Sequence, residues 1–550
     1  MKKQNRETIH FIQESIQGKR HYIVFLSLLQ VLLGLTTVGI AYLLRYVIQG
    51  LNTKNGDLFY PSLIVLTCFA LATVAFHLIY RFLYEYAYSE LENAYKKRLY
   101  DDILSSPYEE IKNKHEEDWI NRFSNDCSVV TTNILSIFPS LSRMVVQLVS
   151  ALVLIIISYP LFGLILIPIT FVLILFTYLM RKRLKKLHVM FQEEDGRLKI
   201  FYSESLQGLS IIHSFVKQDL FKKKDIEQLQ EHKKARVKRN NFSNLCSLGY
   251  IVVYYLAFVL VIFLCGRAIL DGRLEASILT SMIFLLSQVE SPLAHITSII
   301  PRYYALLASA ERIHLLPKQR KEAISKEEIH SYYENSFKEI SLENLSFTYM
   351  DSHGREVKAL SHFSLEIHKG EKIALVGPSG KGKSTLMKLL LGLYHPQEGT
   401  LSLLDEEGKR ELDERYHHLF SYVPQDNLLL QGSIEEVVTL FDEHVNEEKL
   451  KKALELSCSL SFVQELKDGV KTKLKEKGSG LSLGQMQRLA IARALYSDAP
   501  ILLLDECTSA LDEKNEKEVL DGLFSLKDKT ILMISHHKDN LTYCDKIMEL

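Results

Sequence analysis

Six apolar stretches, each close to the length an α-helix needs to cross a hydrocarbon layer, fill much of the first 300 residues and constrain this chain more than any other feature. About 20 apolar helical residues span a bilayer core, where each backbone amide must find its partner inside its own helix. The stretches are Tyr22–Leu44, Pro61–Tyr80, Ile137–Ser158, Leu161–Met180, Leu245–Cys265 and Ile278–Ile300. Only "SYP", Ser158–Pro160, divides the third from the fourth, which predicts a tight hairpin at one membrane face.

Basic residues set the orientation. They collect in the connections after the second and fourth stretches, at Lys96, Lys97 and Arg98, in "RKRLKK" from Arg181, and at Lys222–Lys224. Positive loops stay cytoplasmic, so both termini and the C-terminal domain are placed on the cytoplasmic side of a plasma membrane that the chain crosses several times. The mixed apolar and charged periodicity of these two connections predicts helices that continue past the bilayer. Gln30, His77, Gln147, Gln288 and Glu290 are too polar for lipid and are expected to face the bundle interior or a wet cavity. Pro292 is expected to kink the sixth span. Lys and Arg number 66, as do Asp and Glu, so no basic excess points to a nucleic-acid partner. Seven scattered cysteines without a C-x-x-C argue against a zinc site or disulfide framework.

From about Lys338 the text changes to short alternating strands and helix-like segments. The chain therefore reads as a multidomain membrane protein. An all-α six-helix transmembrane domain (1–315) and a linker (316–337) lead into an α/β P-loop ATPase domain (338–550). The decisive segment is "VGPSGKGKST", which follows the apolar strand "KIAL" and precedes a helical pattern. Gly377, Pro378, Ser379, Gly380, Lys381, Gly382, Lys383, Ser384 and Thr385 make a loop whose amides face phosphate, with Lys383 for the outer phosphates and Ser384 for magnesium. "ILLLDE" ends in Asp505, suited to the magnesium shell, and Glu506, placed to polarise a water.

Between them, "GLSLGQMQRLAIARAL" resembles the signature segment of the ATP-binding cassette (ABC) transporter family, and with six preceding spans the chain resembles a half-size exporter. Tyr349, Gln425, Glu476, Ser482, Gly484, Gln485, Asp512 and His536 stand in the family's order around it. The resemblance implies ATP and Mg2+ as ligands, Tyr349 against adenine, and Ser384, Gln425 and Asp505 around the metal. It gives Glu506, His536 and Gln425 the catalytic roles. It also implies a dimer in which Ser482 and Gly484 of one chain cover ATP on the other, and transverse coupling segments at Asn121–Val130 and Ser203–Phe215.

Two departures stand out. Leu483 replaces the first glycine of the usual signature, which favours pairing with a different half-transporter over a homodimer, and the chain stops at Leu550, before the terminal elements common in similar proteins. Expected partners are thus a second subunit, membrane lipid and a small amphiphilic molecule or peptide as cargo. Thiol compounds, lipids and siderophores are alternative cargoes, and an ATP-gated regulator or channel on the same frame is the alternative function.

Overall fold

The computed structural model describes residues 2–112, 116–314, 323–350, 356–378, 380–426, 429–475, 478, 480–535, 537 and 539–550. Its contacts divide the chain into two units, Met1–Leu104 with Lys114–Leu316, and Ser105–Asn113 with Pro317–Leu550.

The first unit is helical. Its long elements are α1 (Arg20–Asn52), α2 (Gly56–Leu104), α3 (Cys127–Ser158), α4 (Pro160–Gln207), α5 (Gln218–Leu270) and α6 (Ala276–His314), and each carries one of the apolar stretches. Among the described residues α1, α2, α3 and α5 are long and apolar enough to cross a membrane, and α4 begins with a shorter apolar run, Pro160–Val172. At 49, 48 and 53 residues, α2, α4 and α5 far exceed a bilayer crossing, so they carry the extensions that the sequence predicts. The hairpin is as tight as expected. Tyr159 alone links α3 to α4, in extended conformation, and Pro160 opens α4, where a missing amide costs nothing. Gly163 lets the two helices close together, because a Cβ there would sit 2.5 Å from Ile156 Cγ1.

Apolar side chains distinguish two environments. Val38, Ala151, Ile155, Phe162, Val261, Met282 and Leu285 interlock as a core shared by five of the six helices. Leu63, Ile64, Leu71, Val74 and Leu78 of α2 stay exposed. A helix that is apolar where it meets its surroundings is one whose solvent is lipid or another protein. Gln30 and Gln147 are buried as expected, and Gln147 Nε2 donates to Gln288 Oε1 at 2.9 Å. His77 corrects the expectation. It is exposed on α2, whose apolar window is left uncovered by the rest of the chain. Pro292 lies inside α6, together with Pro301, and the helix runs through both.

The second unit combines two sheets. Strands β1 (Phe337–Met350), β2 (Glu356–His368), β4 (Glu398–Asp405) and β5 (Gly408–Glu411) form an antiparallel sheet ordered β2-β1-β4-β5. Strands β3 (Lys372–Val376), β6 (Phe420–Val423), β7 (Ile501–Asp505), β8 (Thr530–Ile534) and β9 (Lys546–Glu549) form a parallel sheet ordered β9-β3-β8-β7-β6. All five residues of β7 and of β8 are buried, as strands covered on both faces must be. Helices α7 (Lys383–Leu390), α8 (Glu447–Leu456), α9 (Leu483–Ser497) and α10 (Glu513–Phe524) complete the part that concerns the site.

Two boundaries differ from the sequence reading. The segment 316–337, expected as a linker, contains a helix, Lys326–Asn335, whose Ile329 and Tyr333 are buried in the core of the second unit. Apolar residues four apart in a charged stretch were enough to anchor it. The first transverse segment is also displaced. Asn121–Val130 belongs to the helical unit, because Asp126, Cys127 and Val130 are buried there, whereas a short helix at Tyr108–Lys112 belongs to the second unit and sets the Tyr108 ring edge-on to Tyr394 at 5.9 Å. The other segment, Ser203–Phe215, does hold a short helix, Leu209–Ser214.

Candidate nucleotide site

Strand β3 ends at Val376 and the chain turns through Gly377, Gly380 and Gly382, all with positive φ, before α7 begins at Lys383. Gly382 has no substitute, since a Cβ there would lie 2.2 Å from the Ala359 carbonyl oxygen. The consequence is a compact loop at a helix N-terminus. Lys383 is 6% exposed, and its Nζ donates to the carbonyls of Gly377 (2.7 Å) and Pro378 (2.9 Å), which holds the ammonium against the loop. Lys381 is exposed and turned to solvent. Thr385 Oγ1 lies 3.0 Å from Tyr349 OH, and Tyr349 packs edge-on to Tyr394 and Phe347. Ser379 falls outside the described residues, as do Glu476 and His536.

Parallel pairing of β3, β8 and β7 brings the acids to the same end of the sheet as the loop. Asp505, at the end of β7, is 1% exposed. Tyr422 on the neighbouring strand donates to its Oδ2 at 3.3 Å, while Oδ1 has no hydrogen-bond partner among the described residues. Burial pushes the Asp505 carboxyl above the usual range, and Ser384 and Tyr422 pull against that shift. An orphaned carboxylate oxygen next to a phosphate-loop serine fits a divalent cation, which supplies the charge that burial makes costly. Glu506 follows in a left-handed conformation, φ 49°, which an ordinary residue adopts only where its surroundings enforce it. Gln425 Nε2 donates to Glu506 Oε2 at 2.9 Å, so the two residues meet as one unit.

The signature residues form a second cluster. Ser482 caps α9, accepting from Gln485 N at 3.2 Å, and Gln485 Oε1 accepts from Ser482 N at 2.9 Å. Gln485 thereby shapes the helix start through its side chain. Gly484 sits against the Ala510 carbonyl oxygen, which a Cβ would approach to 2.9 Å. Asp512 caps α10 by accepting from Asn515 N at 2.9 Å, and that amide holds its carboxyl below the usual range. Leu483 is 57% exposed at the start of α9. Buried Gln487 ties the pieces together, accepting from Ala510 N at 2.9 Å and donating to Ser509 Oγ at 3.1 Å. Sequence reasoning passed over Gln487, although "GQMQR" places it in plain view two residues after Gln485. Tyr394 and Tyr422 carry no such signal; only the fold sets them beside Tyr349 and Asp505.

Comparisons with known proteins agree with this geometry. Residues 360–509 match the family described as ABC transporter, and residues 23–293 match the ABC transporter transmembrane region. The chain belongs to the ABC transporter family. The fold is that of a solved bacterial Atm1-family ABC exporter with ATP bound, at TM-score 0.80 over 96% of this chain and 93% of that one, with 20% identity.

Among curated relatives of this ABC protein are ABC transporter B family member 1 of Dictyostelium discoideum and a putative export ATP-binding/permease protein of Rickettsia felis. The first is 28% identical over 92% of this chain and 55% of its own length. The second is 28% identical over 96% and 91%. A lactococcin-G-processing and transport ATP-binding protein of Lactococcus lactis subsp. lactis is 33% identical over 63% of this chain and 49% of its own. The chain thus spans about half the length of two of these three relatives.

Proposed function

We propose that this chain is one half of an ATP-driven exporter that moves a small amphiphilic molecule or peptide across the plasma membrane. The observation that carries the reading is the gathering of Lys383, Ser384, Asp505, Glu506 and Gln425 at one end of the parallel sheet, in a chain whose other unit is a bundle of membrane-length helices. Lys383 and the loop amides bind the triphosphate. Ser384 and Asp505 hold magnesium, which when bound neutralises phosphate charge. Glu506, oriented by Gln425, accepts a proton from the attacking water. His536 is assigned to the γ-phosphate from its position after β8 in sequence.

Dimerisation follows from two surfaces. Ser482 and Gly484 lie at the start of a helix whose amides suit a γ-phosphate, and no described hydrogen bond joins them to this chain's own phosphate loop. The short helix Leu209–Ser214 exposes Leu209 and Ile211, with Leu206 and Phe215 beside it, an apolar surface suited to a partner's nucleotide domain. Leu483 favours a heterodimer. Its bulk stands where the backbone would approach the partner's ATP, and a different subunit confines that defect to one of the two sites. ATP shared between the chains then favours the closed pair, and hydrolysis releases it.

Reconstitution in proteoliposomes tests the proposal, with ATP hydrolysis and vectorial flux compared between the native chain and Glu506→Gln, alone and with candidate partner subunits. Hydrolysis should fall on the order of 10²- to 10⁴-fold, and flux with it. Equal flux in the variant would mean an ATP-gated channel instead of a pump.

A further inference from the structure

The helical unit contains a polar cavity of about 330 Å³ walled by α1, α3 and α6. Gln30 from α1, Arg143 and Gln147 from α3, and Arg302 from α6 line it, with Met144 and Ile299 as apolar wall. Among the described residues no Asp or Glu lines it, and Glu290, next to the lining residue Ser291 on α6, is not part of the lining. Arg143 Nη1 reaches Gln30 Oε1 only at 3.5 Å, a weak contact with a neutral acceptor. Neither arginine forms an ion pair among the described residues.

Depth makes this arrangement informative. Arg143 lies six residues inside the third apolar stretch, about 9 Å along the helix from its cytoplasmic end. A cation at that depth is costly unless it faces water or a counter-charge. Snorkelling to lipid headgroups does not account for it, because Gln30 and Gln147 beside it are both buried within the chain. The backbone of α1 at Gly34 packs on α3 at this level, where a Cβ would stand at ordinary van der Waals distance from the Arg143 carbonyl oxygen (3.4 Å) and Arg143 Cγ (3.6 Å). Arg143 is thus half-buried in the cavity wall, while Arg302, two residues past the sixth apolar stretch, lines the same cavity from an exposed position at its cytoplasmic end. Two cations, amide donors and an apolar wall around a chamber of about 330 Å³ describe a receptor for an anionic group carried on an apolar body.

We infer that Arg143 and Arg302 select the cargo: the exported molecule is an anionic amphiphile whose carboxylate or phosphate-type group binds between the two guanidinium groups. This rests on the export reading and narrows its substrate class.

The test uses the full-length assembly in phosphatidylcholine nanodiscs and two probes with one acyl chain, N-lauroylglycine (anionic) and N-lauroylglycinamide (neutral), each measured by equilibrium binding. The anion should bind at least about 10-fold more tightly, a difference of about 1.4 kcal/mol. Arg143→Gln with Arg302→Gln should erase the preference, and Arg143→Lys with Arg302→Lys should retain most of it. Equal binding of both probes to the native protein, or a preference that survives the glutamine pair, overturns the inference. Loss of the preference when phosphatidylglycerol is added would make the cavity a lipid-headgroup site and overturn the cargo assignment. ATP hydrolysis is measured on the same samples. Its absence counts against the export reading, whereas hydrolysis without anion preference counts only against this inference.

Discussion

Asp126 is fully buried in the helical unit, where Arg312 Nε donates to its Oδ2 at 2.8 Å and Ser309 Oγ to its Oδ1 at 2.8 Å. The pair joins the segment before α3 to the end of α6, and Arg312 remains half-exposed. Removing one partner of a buried pair strands the other charge, at a cost of roughly 3–5 kcal/mol. Asp126→Ala should fall at the lower end, about 3 kcal/mol, because water reaches Arg312. Thermal unfolding in detergent measures it, and Asp126→Leu with Arg312→Met should recover much of the loss.

Adjacent signature positions should differ in how much stability each costs to change. Gly484→Ala forces a Cβ to 2.9 Å from the Ala510 carbonyl and should destabilise the protein by about 1–3 kcal/mol. Leu483→Gly removes an exposed side chain and should cost no more than about 1 kcal/mol. If Leu483 hinders the partner's ATP, Leu483→Gly should raise ATP hydrolysis of the assembly. Unfolding and phosphate-release measurements on both variants separate the two effects.

Burial raises the Asp505 carboxyl, so in the folded, nucleotide-free chain it holds its proton to higher pH than in the unfolded chain. The stability linked to that proton is complete below the unfolded value and is lost as pH rises through the raised folded value. Magnesium bound at Asp505 would compete with the same proton. Apparent Mg2+ affinity should therefore weaken as pH falls toward the raised folded value. Asp505→Asn should abolish both the affinity and its pH dependence, as read by Mg2+ titration of nucleotide binding.

Tyr108 meets Tyr394 edge-on, and Tyr394 in turn meets Tyr349. An aromatic contact of this kind contributes about 0.5–1.5 kcal/mol beyond its buried area. Tyr108→Ala should speed amide exchange in Tyr108–Lys112 and leave Asn121–Val130 unchanged. Faster exchange in the latter segment would show that it, too, depends on the aromatic contact.

The sequence alone was sufficient for the features that are local along the chain. Helices follow from runs of apolar residues at membrane length, the hairpin from Tyr159 and Pro160, and the phosphate loop from glycines that no larger residue can replace at Gly382. Asp505 and Glu506 were legible for the same reason, as they end a strand whose five residues are all buried.

Relations between distant segments were decided by the tertiary structure, because register and packing bring together residues that no spacing rule connects. Tyr422 reaches Asp505 only through the pairing of β6 with β7, and Tyr108 joins the second unit from a position more than 200 residues before it. Likewise, Arg143 and Arg302 lie on helices that the sequence presents as two separate apolar runs. Their shared cavity exists because α1, α3 and α6 pack together and bring Gln30, Gln147 and the two arginines around one space.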